Sequence, residues 1–375
     1  MQELPAEQYF LTRPMFEGLD HNLAVFATIC GINPGRIFVD DVDRPQTALA
    51  ITTEGTFLVG EECVPQTRQR LRDFIAHSVF TGQVSVEDSG AMSLQVYPPS
   101  WEARLSEIIP QREIEKAQRY HYVCRAPCVD WPARLPAGYR LRKITSGLLG
   151  EPQLRIPEDI PRRIAAAWGD VGNLVTTGTG FCILCENEVV SWCVADCVAG
   201  DRIEVGINTD PGHRRRGLAT IAAAAAVEDC LQRGFAMVGW HCEADNVASW
   251  KTAQKAGFRR ERTYHRYYYM FDEVDHLAEL GWFNFKRGDY GKTCLYYERV
   301  FAMRQDNPDY YYHLAALAFA AVGDTEWALY YLREAADHGW AALEMTKQQA
   351  HFAILHGTPA WEAVLHRIQE NATGE

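Results

Sequence analysis

No stretch of this 375-residue chain approaches the uninterrupted apolar length that a bilayer-spanning helix needs. Its opening residues, MQELPAEQYFLTRPMF, lack the basic segment and apolar core of an export signal, so a cytoplasmic location is expected. Positive charge is also short: 37 Lys and Arg stand against 49 Asp and Glu, a formal net charge of -12. A surface of that sign repels phosphate backbones, which argues against broad nucleic-acid binding and favours a neutral or cationic partner. An even cysteine framework is missing as well. The 11 cysteines are odd in number and scattered, so reduced thiols are expected rather than disulfides.

Cys182, Cys185, Cys193 and Cys197 form two close pairs, the count a tetrahedral zinc site uses. They fall in GFCILCENEVVSWCVADC, which reads as two strands, and residues three apart on a strand point to opposite faces. These thiols are therefore expected to act as small buried hydrophobes, and no metal is assigned.

The composition, 47% hydrophobic and 23% charged, is that of a globular protein with room for two or three cores. The first third alternates strand-like runs (GRIFVDD, TALAITTEGTFLVGE, MSLQVYPP) with helix-like ones (TRQRLRDFIAHSVF, SWEARLSEII), a mixed α/β pattern. A proline-rich passage near Trp131 to Gly138 breaks it and suggests a boundary between an N-terminal domain, 1–130, and a second domain, 138–271. The second domain opens with the strand YRLRKI and the helix IPRRIAAAW. Strands GFCILC, EVVSWCVADCV and RIEVGIN follow, joined by hairpin-sized turns. After Phe271 the strands stop. The remainder, 273–375, reads as helical, with two Gly-Asp turns separated by close to the tetratricopeptide period of about 34 residues.

One stretch carries chemistry. In INTDPGHRRRGLAT a strand ends and a helix begins, so the helix presents its unpaired N–H groups and positive dipole end where the strand stops. Gly217 lets the main chain approach a ligand closely, and Arg214, Arg215 and Arg216 offer charge-assisted hydrogen bonds. Arginines at that end of a helix oppose its dipole, so their presence points to a bound anion such as phosphate. Ala222 to Ala226 then favour helix with little bulk, which lets this helix lie close against a sheet.

Arg214-Arg215-Arg216-Gly217-Leu218-Ala219 resembles the Arg/Gln-x-x-Gly-x-Gly/Ala signature of the GCN5-related N-acetyltransferases (GNAT superfamily). A second family pattern follows in WHCEADNVASWKTAQKAGF, where Asn246, Ser249, Ala253, Gly257 and Phe258 have the family spacing. The wider sequence is similar to the zwittermicin A resistance subfamily. The resemblance implies an α+β fold with a mixed, largely antiparallel sheet flanked by helices over about Tyr139 to Met270. It also implies a degenerate half-copy before it, lacking the arginine–glycine loop and supporting rather than catalysing.

What the resemblance implies about chemistry is acetyl transfer from acetyl-CoA to a primary amine of a small molecule by direct attack. The loop Arg214 to Thr220, with Leu218 and Ala219, would cradle the coenzyme pyrophosphate, and Asn246 and Ser249 would join them. The main chain of Ile207, Asn208 and Thr209 would align the pantetheine arm. Glu204 is the first candidate for the amine's base. His241 is a candidate relay, since an imidazole can both take up and give a proton. Family members often carry a tyrosine four residues before the Gly-Phe pair that protonates the coenzyme thiolate; this chain has Ala253 there, leaving Tyr264, Ser249 or solvent. Two alternatives stay open: a protein lysine acetyltransferase that docks its partner through the C-terminal helices, and a non-catalytic acyl-CoA sensor.

Overall fold

The computed structural model describes residues 1–61, 64–84, 90–127 and 129–374, and the chain forms two compact units, Met1–Tyr269 and Met270–Glu375. Cys63 and Cys128 lie outside the described residues.

The first unit is built on one twelve-stranded sheet. Its strands are β1 (Gln2–Glu3), β2 (Gly35–Val39), β3 (Thr47–Thr52), β4 (Gly55–Gly60), β5 (Ala91–Tyr97), β6 (Glu115–Cys124), β7 (Tyr139–Lys143), β8 (Gly180–Cys185), β9 (Glu188–Ala199), β10 (Arg202–Thr209), β11 (Met237–Glu243) and β12 (Arg259–Met270). They lie in the order β1-β2-β3-β4-β5-β12-β6-β11-β10-β9-β8-β7. From either edge the sheet reads alike: antiparallel hairpins, then one parallel pair, β4 with β5 on one side and β10 with β11 on the other. At the centre the halves exchange strands, since β6 of the first half pairs with β11 and β12 of the second half neighbours β5.

The expected boundary near Trp131 to Gly138 therefore does not separate one sheet from another. The proline-rich passage carries the chain from the middle of the sheet at β6 to its edge at β7, with one short turn at Pro132–Arg134. Strand β6, EKAQRYHYVC, is absent from the strand pattern read off the sequence, because its polar, aromatic composition shows neither an apolar run nor a clean alternation.

Two helices on opposite faces fix the site. Leu218–Gln232 is buried nearly all round, with Ala222, Ala223 and Ala226 fully inaccessible against the sheet. On the other face, Leu23–Ile29 of the first half packs against β9 of the second and joins one apolar core with Cys197 and Ala199. The four cysteines considered as a zinc set are free thiols. Cys182 lies across from Trp192, Cys193 across from Phe181 and Cys185 across from Glu188, and burial pushes the Cys182 thiol up to about 12.

The second unit is helical: Glu273–Lys286, Tyr290–Met303, Asp309–Ala321, Thr325–Asp337, Leu343–Gln348 and Pro359–Thr373. Gly288 and Gly323, both at positive φ, end the first and third of these. Asp289 and Asp324 then cap the second and fourth by accepting from Lys292 N–H and Trp327 N–H.

Candidate active site

The site begins where two parallel strands diverge. β10 and β11 pair only at Arg202 with Met237, Ile203 with Val238 and Glu204 with Gly239. Beyond that, β10 runs on to Thr209 against β9, while β11 runs on to Glu243 against β6. The register of β10 against β9 shifts at the same point: Glu204 lies across from Cys197 and Val205 across from Ala195, so Asp196 is the extra residue of a bulge in β9. The wedge so opened exposes main-chain groups of Val205 to Thr209 that no strand pairs on that side.

At the outer end of the wedge lies a cavity of about 550 Å³. Ile207, Asn208 and Thr209 line it from β10, and Arg214, Arg215, Gly217, Leu218, Ala219 and Thr220 line it from the loop and the start of the alanine helix. Asn246 and Ser249 face them from the helix Val247–Lys255 and its cap, where Asn246 Oδ1 accepts from Ser249 N–H at 3.0 Å. The loop reaches this shape through two left-handed residues, Arg215 at φ 61 and Gly217 at φ 80. Arg214 Nε donates to the Thr209 carbonyl at 3.1 Å and ties the loop to the strand.

One predicted residue sits elsewhere. Arg216 is not on the cavity wall; its guanidinium donates to the Tyr139 hydroxyl at 2.9 Å. That hydroxyl also lies 2.9 Å from His213 Nδ1 and so braces the loop from behind. In its place the cavity gains Lys251 and Lys255, one helical turn apart and missed in the sequence. Their i, i+4 spacing on the helix that follows the second family pattern was the available signal.

Ile207, Asn246 and Ser249 are shared with a second cavity of about 270 Å³ at the inner end of the wedge. Its wall is strongly polar: Glu54, Asp196, Glu204 and Glu243 with Arg119, Arg163 and His241. Glu54, in the turn between β3 and β4, and Arg119, on β6, come from the first half of the chain. That half therefore supplies walls of the site, which its lack of an arginine–glycine loop gave no reason to expect. Arg163 donates from Nε to Asp196 Oδ1 at 2.6 Å and sits 3.7 Å from Glu54. Burial drives the Asp196 carboxyl up, and Arg163 opposes the shift.

Glu204 is the most constrained of these groups. Its Oε1 accepts from the Leu23 amide at 3.0 Å and lies 3.1 Å from His241 Nε2, and its Oε2 accepts from the Cys197 thiol at 3.3 Å. The Leu23 amide is free to donate because it opens a helix. Burial alone would raise the Glu204 carboxyl, but His241, His121 and the Leu23 amide outweigh it and hold it at about 2. Glu204 is thus a carboxylate at neutral pH. It assigns the Nε2 proton of His241, and the Tyr264 hydroxyl lies 2.9 Å from His241 Nδ1.

Tyr264 stands behind His241 and touches neither cavity, and burial keeps its phenol protonated. Ser249 lies where the cavities meet, its Oγ accepting from Trp240 Nε1 at 3.1 Å. Burial also pushes the Cys242 thiol up to about 11, which suits it poorly as a nucleophile.

A split parallel pair, a glycine loop opening a helix and a buried carboxylate at the split define a class of acyl-transfer enzyme. The family model described as GNAT acetyltransferase matches residues 13–267, and the chain belongs to that family. The family is one of acetyltransferases. Among curated proteins, the Uncharacterized N-acetyltransferase YdfB of Bacillus subtilis (strain 168) is 25% identical over 276 residues, covering 72% of this chain and 98% of that protein. Among solved structures, a GCN5-related N-acetyltransferase-like protein from Streptococcus suis 89/1591 matches with a TM-score of 0.52 and 23% identity, over 70% of this chain and 98% of that one. The family match ends before the helical unit begins.

Proposed function

We propose that this chain transfers the acetyl group of acetyl-CoA to a primary amine of a small polar molecule by direct attack. One observation supports this above the rest: the cavity at the anion loop and the carboxylate-lined cavity meet at Ile207, Asn246 and Ser249, just past Glu204. A coenzyme laid along the wedge would place its pyrophosphate at the amides of Arg215 to Ala219, near Lys251 and Lys255. Its pantetheine arm would run beside Ile207 to Thr209 and its thioester would reach the junction.

In the inner cavity a protonated amine would be drawn by Glu54, Glu204 and Glu243. It must lose a proton before it can attack. His241 Nε2 already carries a proton and its Nδ1 faces Tyr264, so the amine's proton would pass through water to the Glu204 carboxylate and from there, given its depressed pKa, on to solvent. The nitrogen then bonds to the acetyl carbon, the carbon–sulfur bond breaks and the thiolate leaves. Ser249 or water supplies the thiolate's proton, since Tyr264 is walled off behind His241.

The similarity to zwittermicin A resistance enzymes makes amino-bearing antibiotics the first amines to try. Docking of a protein lysine is a second reading. It is favoured by the repeated Gly-Asp turns of the helical unit, which fit tetratricopeptide repeats, and by its exposed Trp327 and Tyr330. The test is thiol release from acetyl-CoA across small amines, aminoglycosides and lysine peptides, with Glu204→Gln as control. Release with a small amine supports the first reading and release with peptides alone supports the second. Coenzyme binding without release from any acceptor contradicts both and leaves a sensor.

A further inference from the structure

We propose that His121, Glu204 and His241 form a binding site for a borderline divalent cation such as zinc, and that the ion reversibly inhibits acetyl transfer by occupying the proton-accepting carboxylate. One ligand atom from each of the three lies within 4.8 Å of the others. The sheet dictates this grouping. Glu204 is across from Gly239, and His241, two residues further along β11, is across from His121 on β6, so all three side chains leave the same face of three adjacent strands. Gly239 keeps the centre open. A Cβ there would stand 2.8 Å from Glu204 Cγ and 3.4 Å from His121 Nε2.

A second observation points to a ligand independently of that grouping. His121 is 4% exposed, and its Nε2 has no hydrogen-bond partner among the described residues. A buried ring nitrogen left unpaired loses its hydration without compensation, and a metal bond at that atom would supply the missing partner. The supporting contacts suit ligands too. The Tyr264 hydroxyl, 2.9 Å from His241 Nδ1, can accept the ring proton there and leave Nε2 for the ion, while Leu23 N–H and Cys197 S–H orient the carboxylate.

Two imidazoles and a carboxylate match zinc in donor type and count, with one coordination position left for water. Ligands at about 2.0–2.2 Å from one ion stand closer together than the present spread, so binding needs side-chain shifts of about an ångström. An ion has a route in, because Glu204 and His241 both line the inner cavity.

The inhibition rests on the proposed role of Glu204 as proton acceptor, whereas the site does not. The experiment titrates the full-length, metal-free protein with Co²⁺ and then with Zn²⁺. One equivalent of Co²⁺ is expected to give visible absorption without the near-ultraviolet band of a cobalt–thiolate bond, and Zn²⁺ is expected to displace it. His121→Ala and the milder His121→Gln are expected to lose that signal, with folding checked by circular dichroism. Saturating Zn²⁺ should slow thiol release at least about tenfold, given that a positioned base is worth about 10²–10⁴, and a chelator should restore it. Absence of stoichiometric binding, a thiolate band, or a spectrum unchanged in His121→Gln would overturn the site. Should both variants misfold, an anomalous zinc peak in wild-type crystals decides: a peak between His121 and His241 supports the site, and none there overturns it. Metal binding in a protein that releases no thiol with any acceptor would leave the site standing and remove the acetyl-transfer reading, and the converse result would do the reverse.

Discussion

Glu204 Oε1 lies 3.1 Å from His241 Nε2, and the carboxylate that makes this contact is 7% exposed at the point where β10 and β11 diverge. Glu204→Gln keeps the shape of the side chain but removes the carboxylate that accepts the proton. Turnover should fall about 10²–10⁴-fold with coenzyme affinity little changed, read from steady-state rates and calorimetry. Equal loss of both would place Glu204 in the scaffold instead.

Gly217 stands at φ 80 with open space where a Cβ would be, so a side chain there meets strain rather than a clash. Gly217→Ala should cost about 1–2 kcal/mol of stability. Gly217→Glu, which sets a carboxylate before the same amides, should abolish coenzyme binding in calorimetry while the protein stays folded.

Acid should weaken the fold through its histidines. Burial lowers His121 to about 4 and His21 to about 3 from an ordinary value of 6.5. Both are neutral in the folded chain and charge more readily when unfolded, so their contribution is complete above about pH 6.5 and is lost as pH falls through 4 and then 3. Glu204, held at about 2 against 4.5, extends the loss below pH 4.5. Denaturant midpoints measured from pH 7.5 to 4 should fall steadily, and His121→Gln should flatten the upper part of that slope.

Ala223 is fully buried where the alanine helix meets the sheet. Ala223→Leu adds volume to a closed interface and should cost about 1–3 kcal/mol. A thermal melt unchanged from wild type would show slack in this packing.

Glu54 belongs to the first half of the chain yet borders the inner cavity and lies 3.7 Å from Arg163. Its loss should raise the KM for the amine roughly fivefold, equivalent to about 1 kcal/mol for a partly exposed ion pair, and leave coenzyme affinity alone. An effect on coenzyme binding only would contradict its place in the acceptor site.

The arginine–glycine loop's shape was legible because it depends on local order: a strand, three arginines, a glycine and a helix start occur in sequence, and the fold keeps Arg214, Arg215 and Gly217 together on one wall. Arg216 was misplaced because three consecutive arginines look equivalent in sequence, whereas the left-handed turns at Arg215 and Gly217 send its guanidinium to Tyr139. The inner cavity was less legible. Glu204 and His241 lie near the loop in the chain, but Arg119 and His121 reach them on β6 through the strand exchange at the centre of the sheet, and Leu23 and Glu54 from a helix start and a hairpin turn of the first half. Nothing in a linear pattern predicts that β6 will insert between β11 and β12. Tyr264, a candidate acid only because Ala253 holds the place of the family's tyrosine, is a neighbour of His241 and not of the cavity at the arginine–glycine loop.

Coenzyme binding at the loop after β10 stands or falls on calorimetric titration of acetyl-CoA into the wild-type protein and into Gly217→Glu. One site per chain is expected in the wild type and none in the variant. Absence of heat in the wild type, or equal binding by both proteins, would contradict it.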